Sequence, residues 1–304
     1  MISNVTSLGN TLQKAIHHLS TAGCDTPRLD AEVLLAHSLG RERTWLYLHL
    51  SDLLDENQIK QFEELLRRRE QHDPVAYLVG HKEFFGLEFQ VNPHVLIPRP
   101  ETELLVETAL EIYDLRFTIY DSETMPASSQ FNIHNSQFTI ADVGTGSGCI
   151  AVALAKHLSD ALIIAIDTSP EALRLAWQNA ERHAVADRIT FLSGDLLDPV
   201  VEPVDLIVSN PPYVSQPELA AAMPEVSKYE PRLALDGGPD GLEVIRRLLL
   251  QAGEKLAPGG SLLVEIGSRQ GQAVFQLAQS CFPKANIQIK QDLAGLDRLL
   301  VVQM

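Results

Sequence analysis

From Phe138 to the C-terminus, short β-branched apolar runs alternate with stretches of helical spacing, and this rhythm restricts the fold more than any other feature. Strands are predicted near 138–143, 161–166, 189–193, 204–209 and 261–266, with helices after most of them. A helical crossover returns the chain to the same end of a sheet, so successive strands run parallel and helices cover both faces. The last two apolar runs, 286–289 and 298–302, are separated only by a short turn region around Asp292 to Gly295. That connection is too short for a crossover, and the sheet is expected to end in an antiparallel pair.

Ahead of the sheet the periodicity is purely helical. Leu8, Leu12, Ala15, Ile16 and Leu19 recur at helical spacing, as do Leu29, Val33 and Leu34, then Ile59, Phe62, Leu65 and Leu66. Residues 1–73 therefore read as a small helical domain, on which the run Arg67-Arg68-Arg69 is expected to be a solvated face. Aromatic and β-branched residues around Gly86 predict a hairpin inside a linker, 74–100. Pro98-Arg99-Pro100 then opens a helix from about Glu101 to Tyr113, with acidic residues where a helix N-terminus favours them. Residues 115–137 read as an exposed insertion within the 101–304 domain, and Phe117 to Ser122 weakly echoes Phe131 to Ser136.

Composition excludes several classes. With 304 residues, 45% of them hydrophobic and 21% charged, the chain is an ordinary globular protein with room for one large and one small domain. A formal charge of −16 opposes any sequence-independent grip on phosphate backbones, so direct nucleic-acid binding is not expected. Cys24, Cys149 and Cys281 are widely spaced and include no C-x-x-C, and no H-E-x-x-H occurs, so neither a disulfide framework nor a metal site is expected. The first ten residues carry no targeting pattern, and no run approaches the roughly 18 apolar residues of a membrane span. A cytoplasmic location follows as an expectation.

Two segments carry chemistry. In the first, Asp142-Val143-Gly144-Thr145-Gly146-Ser147-Gly148 joins a strand to a helix, where glycines permit a tight turn and close ligand approach. The next strand ends in Asp167, placed to accept hydrogen bonds from two ribose hydroxyls. A dinucleotide fingerprint would need its third glycine at 149, where Cys149 stands. G-x-G-x-G with Asp142 two residues ahead instead resembles the first motif of class I methyltransferases, and that carboxylate suits the ammonium group of a methionine moiety. Asp195, with Leu196 to pack on a ring, lies where such proteins hold adenine.

The second segment is Asn210-Pro211-Pro212-Tyr213, directly after the apolar run 204–208. Consecutive prolines stiffen the loop and remove two N–H donors, leaving carbonyl acceptors. Asn210 adds a side-chain acceptor, and Tyr213 can stack on a planar group. Two fixed acceptors suit an amide or exocyclic amine, whose two N–H groups share a plane.

Four segments together resemble the release factor glutamine methyltransferases, the HemK/PrmC family: Ile97 to Glu103, Asp142 to Gly148, Asn210 to Tyr213, and Tyr229-Glu230-Pro231-Arg232 running to Asp236-Gly237-Gly238. The resemblance implies a Rossmann-like, class I methyltransferase α/β sheet with a helical N-terminal domain that helps recognise the factor. It implies S-adenosyl-L-methionine as methyl donor and peptide chain release factors as protein substrate, methylated on the glutamine side chain of a Gly-Gly-Gln loop. Asn210 and Pro211 then carry catalysis, Asn210 to Tyr213 hold the acceptor, and Asp142, Gly144, Thr145, Gly146, Ser147, Gly148, Asp167, Asp195, Leu196 and Asn210 hold the cofactor. Two other classes remain open from the residues alone: a nucleic-acid amino-group methyltransferase, and a non-catalytic module that keeps a nucleoside pocket.

Overall fold

The computed structural model describes residues 6–120 and 137–304. It separates into two compact units, Met1–His81 with Met223–Tyr229, and Lys82–Ala222 with Glu230–Met304.

The first unit is helical. Strand β1 (Thr6–Ser7) leads into α1 (Leu8–Thr21), whose Ser7 cap accepts from the Asn10 N–H, and α2 (Pro27–Ser38) starts on a proline, which costs nothing where the first N–H is unbonded anyway. After α3 (Arg43–Leu48), β2 (Leu53–Leu54) pairs with β1, and α4 (Glu56–Glu70) begins in a reciprocal capping box between Asp55 and Gln58. A short α5 (Val75–Val79) ends on Gly80. Leu8, Leu12, Ala15 and Leu19 of α1 meet Leu34 and Leu35 of α2 and Phe62 of α4 in one core, whereas Leu29 is exposed.

Arg67-Arg68-Arg69 is not a uniformly solvated run. Arg69 is buried, its Nε bonded to Asp30 at 2.7 Å and its Nη2 to Glu225 at 2.5 Å, a double pairing that a desolvated guanidinium needs. Arg68 pairs with Asp73, and Arg67, paired with Glu64, faces solvent. Glu225 lies in the segment Met223–Tyr229, which the sequence reading had assigned to the sheet domain and which clusters instead with the helices.

The second unit opens on a hairpin, β3 (His81–Phe84) and β4 (Leu87–Gln90), with the rings of Phe84 and Phe89 buried edge to face. One 3₁₀ turn, Pro100–Thr102, precedes α6 (Glu103–Tyr120). This helix runs past the predicted end at Tyr113, through the first residues assigned to an insertion. Arg116 explains part of the extension, because its guanidinium reaches Asp205 at 2.6 Å and lies over the Phe138 ring. The rest of the predicted insertion up to residue 136, including the repeat at 131–136, lies outside the described residues.

There follow β5 (Thr139–Val143), α7 (Cys149–His157), β6 (Leu162–Asp167), α8 (Pro170–Arg182), β7 (Ile189–Ser193), β8 (Val204–Ser209), α9 (Gln216–Ala221), α10 (Glu243–Lys255), β9 (Leu256–Glu265), α11 (Gly271–Cys281), β10 (Asn286–Gln291) and β11 (Asp297–Gln303). Strand order is β10-β11-β9-β8-β5-β6-β7, parallel from β9 through β7. Strand β11 is antiparallel to both β9 and β10, as the short 292–295 turn requires. Successive strand residues feed opposite cores: Ile140, Leu206 and Leu263 pack with α6 and α7, while Ala141, Ile207 and Leu262 pack with α10 and α11. Both sheet faces are therefore dry, and the carboxyl ends of β5, β6, β7 and β8 are left to form a site. Among the described residues no helix is long and apolar enough to cross a membrane.

Candidate active site

A cavity of about 440 Å³ opens at those carboxyl ends, inside the usual range for small-ligand sites. Its walls include Gly144, Thr145, Gly146 and Ser147 after β5, Asp167 and Ser169 after β6, Asp195 and Leu196 after β7, and Asn210 and Pro212 after β8. Asp142, Gly148, Pro211 and Tyr213 stand outside the lining.

The glycine loop is stiff because its own donors are used internally. The N–H groups of Gly144 and Thr145 both bond the Ile166 carbonyl, Gly146 N–H bonds the Asp167 carboxylate at 2.9 Å, and Gly148 N–H bonds Thr145 O. The loop thus provides space more than hydrogen-bond donors. Gly148, at φ +80°, allows α7 to approach α8: a Cβ there would stand 2.9 Å from the Ala176 Cβ. Asp167 also accepts from Ser169 N–H at 2.9 Å, so its two oxygens clasp the loops after β5 and β6 together.

Asp142 lies wholly buried beneath the loop. One of its oxygens accepts from the Thr145 hydroxyl at 2.6 Å and from Ala151 N–H at 3.2 Å, and the other, Oδ1, has no partner. Burial pushes this carboxyl up to about 7, although the Thr145 and Ala151 bonds pull the other way. Asp195, half exposed, is paired with Arg247, which also lines the cavity. Leu196 is buried in the left-handed region at φ 51°, a strained backbone for a leucine, held where it presents its side chain to the cavity.

Around Asn210 the geometry is specific. Its Nδ2 donates to Thr102 Oγ1 at 3.1 Å, and among the described residues neither its Oδ1 nor the Pro211 carbonyl accepts a hydrogen bond. Tyr213 turns its hydroxyl to Glu265 Oε1 at 3.1 Å. Its backbone is clamped, since Gln270 Nε2 donates to Tyr213 O and Val214 exchanges backbone bonds with Leu235 and Gly237. Gly237 lies so close that a Cβ would meet Tyr213 Cα at 2.8 Å and Gly241 O at 2.7 Å. Arg99, on the cavity wall, bonds Glu230 at 2.5 Å, joining the Ile97–Glu103 segment to the Tyr229–Arg232 segment.

Residues 10–80 match the family model of the PrmC N-terminal domain, and residues 126–229 match that of the methyltransferase small domain. The release factor glutamine methyltransferase of Moorella thermoacetica is 43% identical over 293 residues, 96% of this chain and 96% of the relative. The chain belongs to the release factor glutamine methyltransferase family. Its namesake in Geobacter sulfurreducens is 39% identical, covering 93% of this chain and 92% of its own. The hMettl16 catalytic domain, solved in complex with the MAT2A 3'UTR hairpin 6, shares the fold alone, with a TM-score of 0.51 at 16% identity over 79% of this chain and 81% of that one.

Several residues that shape the site in this family member escaped the sequence reading. Thr102 holds Asn210, and Glu265 receives the Tyr213 hydroxyl. Fully buried Asn179 on α8 bonds Ser147 O, Gln90 N–H and Gln90 O, fastening the glycine loop to β4. A lone acid in Leu262-Leu-Val-Glu265-Ile266 was the available signal for Glu265. Thr102 lies in the Ile97–Glu103 segment that carried the resemblance, though its pairing with Asn210 was not visible there; Asn179 carries no signal, because its partners are distant in sequence.

Proposed function

We propose that the chain transfers the methyl group of S-adenosyl-L-methionine to the side-chain amide nitrogen of the glutamine in the Gly-Gly-Gln loop of peptide chain release factors. The observation that carries this reading is the state of Asn210, which lines the cavity: its NH2 is committed to Thr102, and among the described residues neither its Oδ1 nor the carbonyl of the adjacent Pro211 accepts a hydrogen bond. Two open acceptors on a proline-stiffened loop match the two coplanar N–H donors of a primary amide.

The cavity also suits the methyl donor. Asp167 offers carboxylate oxygens for ribose hydroxyls, and Leu196 and Ile166 supply apolar surface for a purine. When bound, S-adenosylmethionine supplies a methyl carbon on a cationic sulfur that departs as a thioether. An amide nitrogen is a poor nucleophile because its lone pair is delocalised. Asn210 and Pro211 counter this by fixing both N–H groups, which aims the lone pair out of their plane and draws the protons away as positive charge develops on nitrogen. Such orientation can contribute on the order of 7–11 kcal/mol.

The family name and the acidic balance, 40 acidic against 24 basic residues, both favour a protein acceptor over a nucleic acid. Exposed Tyr47, Leu48 and Leu53 on the helical unit give a release factor apolar surface to cover. Asn210→Ala is the direct test. It should leave cofactor affinity within a few-fold of the parent and lower kcat by two orders of magnitude or so, about what one lost transition-state hydrogen bond costs. Equal losses in affinity and turnover would contradict the division of roles.

A further inference from the structure

Helix α10 carries two rows of side chains with different tasks. Ile245, Leu248, Leu249 and Ala252 bury against the sheet. A second row, Arg247, Gln251 and Lys255, repeats every four residues and so forms one stripe along the helix. Each member of the stripe holds the loop that follows β7. The Arg247 guanidinium pairs with Asp195. Gln251 Oε1 accepts from Leu197 N–H at 2.8 Å while its Nε2 donates to Asp198 Oδ1 at 2.9 Å, and Lys255 Nζ donates to Val200 O at 2.5 Å. Stripe and loop therefore advance together, residue against residue.

The loop is also folded tightly on itself. Asp198 N–H bonds Asp195 O and Val200 N–H bonds Leu197 O, both at 3.1 Å, and a Cβ on Gly194 would stand 2.7 Å from Pro199 Cγ. Inside it, Leu196 sits at φ 51°, a strained backbone that persists only where its surroundings over-determine it. Gln251 constrains it from one side, gripping both residues that follow, and Arg247 from the other through Asp195. Asp195 and Leu196 line the cavity, whereas Gln251 does not.

We propose that Gln251 is a positioning residue for the methyl donor: it fixes the loop after β7 so that Asp195 and Leu196 are held in place for the purine. This rests on the reading of the cavity as the S-adenosylmethionine site. A carboxylate accepts hydrogen bonds and cannot donate them, so an Asp195 held in place prefers a purine with an amino group at position six over one with a carbonyl there. Loosening the loop lowers affinity and that preference together. It leaves the transfer step alone, because Asn210 and Pro211 follow a different strand.

Calorimetry on the full chain compares S-adenosylhomocysteine with S-inosylhomocysteine, which carries the carbonyl. Failure of the parent to bind S-adenosylhomocysteine would sink the cofactor reading itself; equal parent affinity for the two would overturn this inference alone. Gln251→Met keeps the side-chain length and removes both hydrogen bonds. It should weaken S-adenosylhomocysteine about tenfold and the inosine form less than threefold, with kcat at saturating S-adenosylmethionine within about threefold of the parent. Gln251→Glu still accepts from Leu197 N–H but sets a like charge against Asp198, and should lose at least as much. Adding Asp198→Asn, which supplies a donor, should recover most of that loss. If Gln251→Met does not fold, the Gln251→Glu and Asp198→Asn pair decides. A Gln251→Met protein that melts earlier yet keeps both affinities and the preference would show a merely structural contact and overturn the proposal. So would a fall in saturated kcat that matches the loss of affinity, or a double variant no better than Gln251→Glu.

Discussion

Replacing Asp167 separates two things that its carboxylate does. Its oxygens accept from Gly146 N–H and Ser169 N–H, both at 2.9 Å, and both donors line the cavity. A hydrogen bond to a charged group contributes about 1.5–3 kcal/mol, and partial exposure lets water replace some of it, so Asp167→Ala should destabilise the ligand-free protein by about 2–4 kcal/mol. Loss of the ribose contacts adds a further weakening of S-adenosylmethionine binding, about ten- to a hundredfold. Asp167→Asn keeps one acceptor. The local turn to Ser169 should claim it, leaving Gly146 N–H to face an NH2, so stability should fall by about half as much and affinity by roughly tenfold. Calorimetric titration gives the affinities, and thermal melts of the ligand-free proteins give the stabilities. If Asp167→Ala melts early yet binds the cofactor as tightly as the parent, Asp167 is a strut between loops and the ribose assignment is wrong.

Asp142, raised by burial to about 7, holds a proton in the folded state that the unfolded chain has released, so it erodes stability as pH rises from about 4 to about 7. Asp142→Asn does not titrate, and its stability relative to the parent should improve by about 3 kcal/mol between pH 5 and pH 8 in urea unfolding; a pH-independent difference would refute the buried neutral acid. Gly237→Val should push the backbone of Tyr213 and Gly241 aside, since even a Cβ would stand under 3 Å from both. Because an ångström of misplacement can cost about a hundredfold, kcat should drop by tenfold or more with cofactor affinity held, and an unchanged kcat would show that the 235–241 loop does not hold the acceptor loop in register.

Local pattern made the sheet legible. Each β-branched run sits within a residue or two of an observed strand, apart from an earlier start at Leu256 for β9, and a turn too short for a helix marked the antiparallel edge. The glycine loop and Asn210–Tyr213 were legible because their geometry depends on residue types at fixed neighbouring positions. What stayed hidden depends on distant partners. Helix α6 continues past Tyr113 where Arg116 finds Asp205 and Phe138, neither visible from a polar-looking run. Arg69 reads as one of three surface arginines until Asp30 and Glu225 close on it. Asp195 and Arg247, and likewise Thr102 and Asn210, are joined only by the fold. Tyr213, read as a stacking surface for the acceptor, has its hydroxyl on Glu265, a partner 52 residues away that the local pattern does not show.

The central claim is the identity of the acceptor atom. Incubation of the full chain with S-adenosylmethionine carrying an isotopically labelled methyl group, an intact release factor and a mixture of DNA and RNA, followed by mass spectrometry of every component, tests it most directly. A single label on the side-chain amide of the Gly-Gly-Gln glutamine, absent when Asn210→Ala replaces the parent, is the expected result. Label on a nucleobase, or on a release-factor residue other than that glutamine, would contradict it.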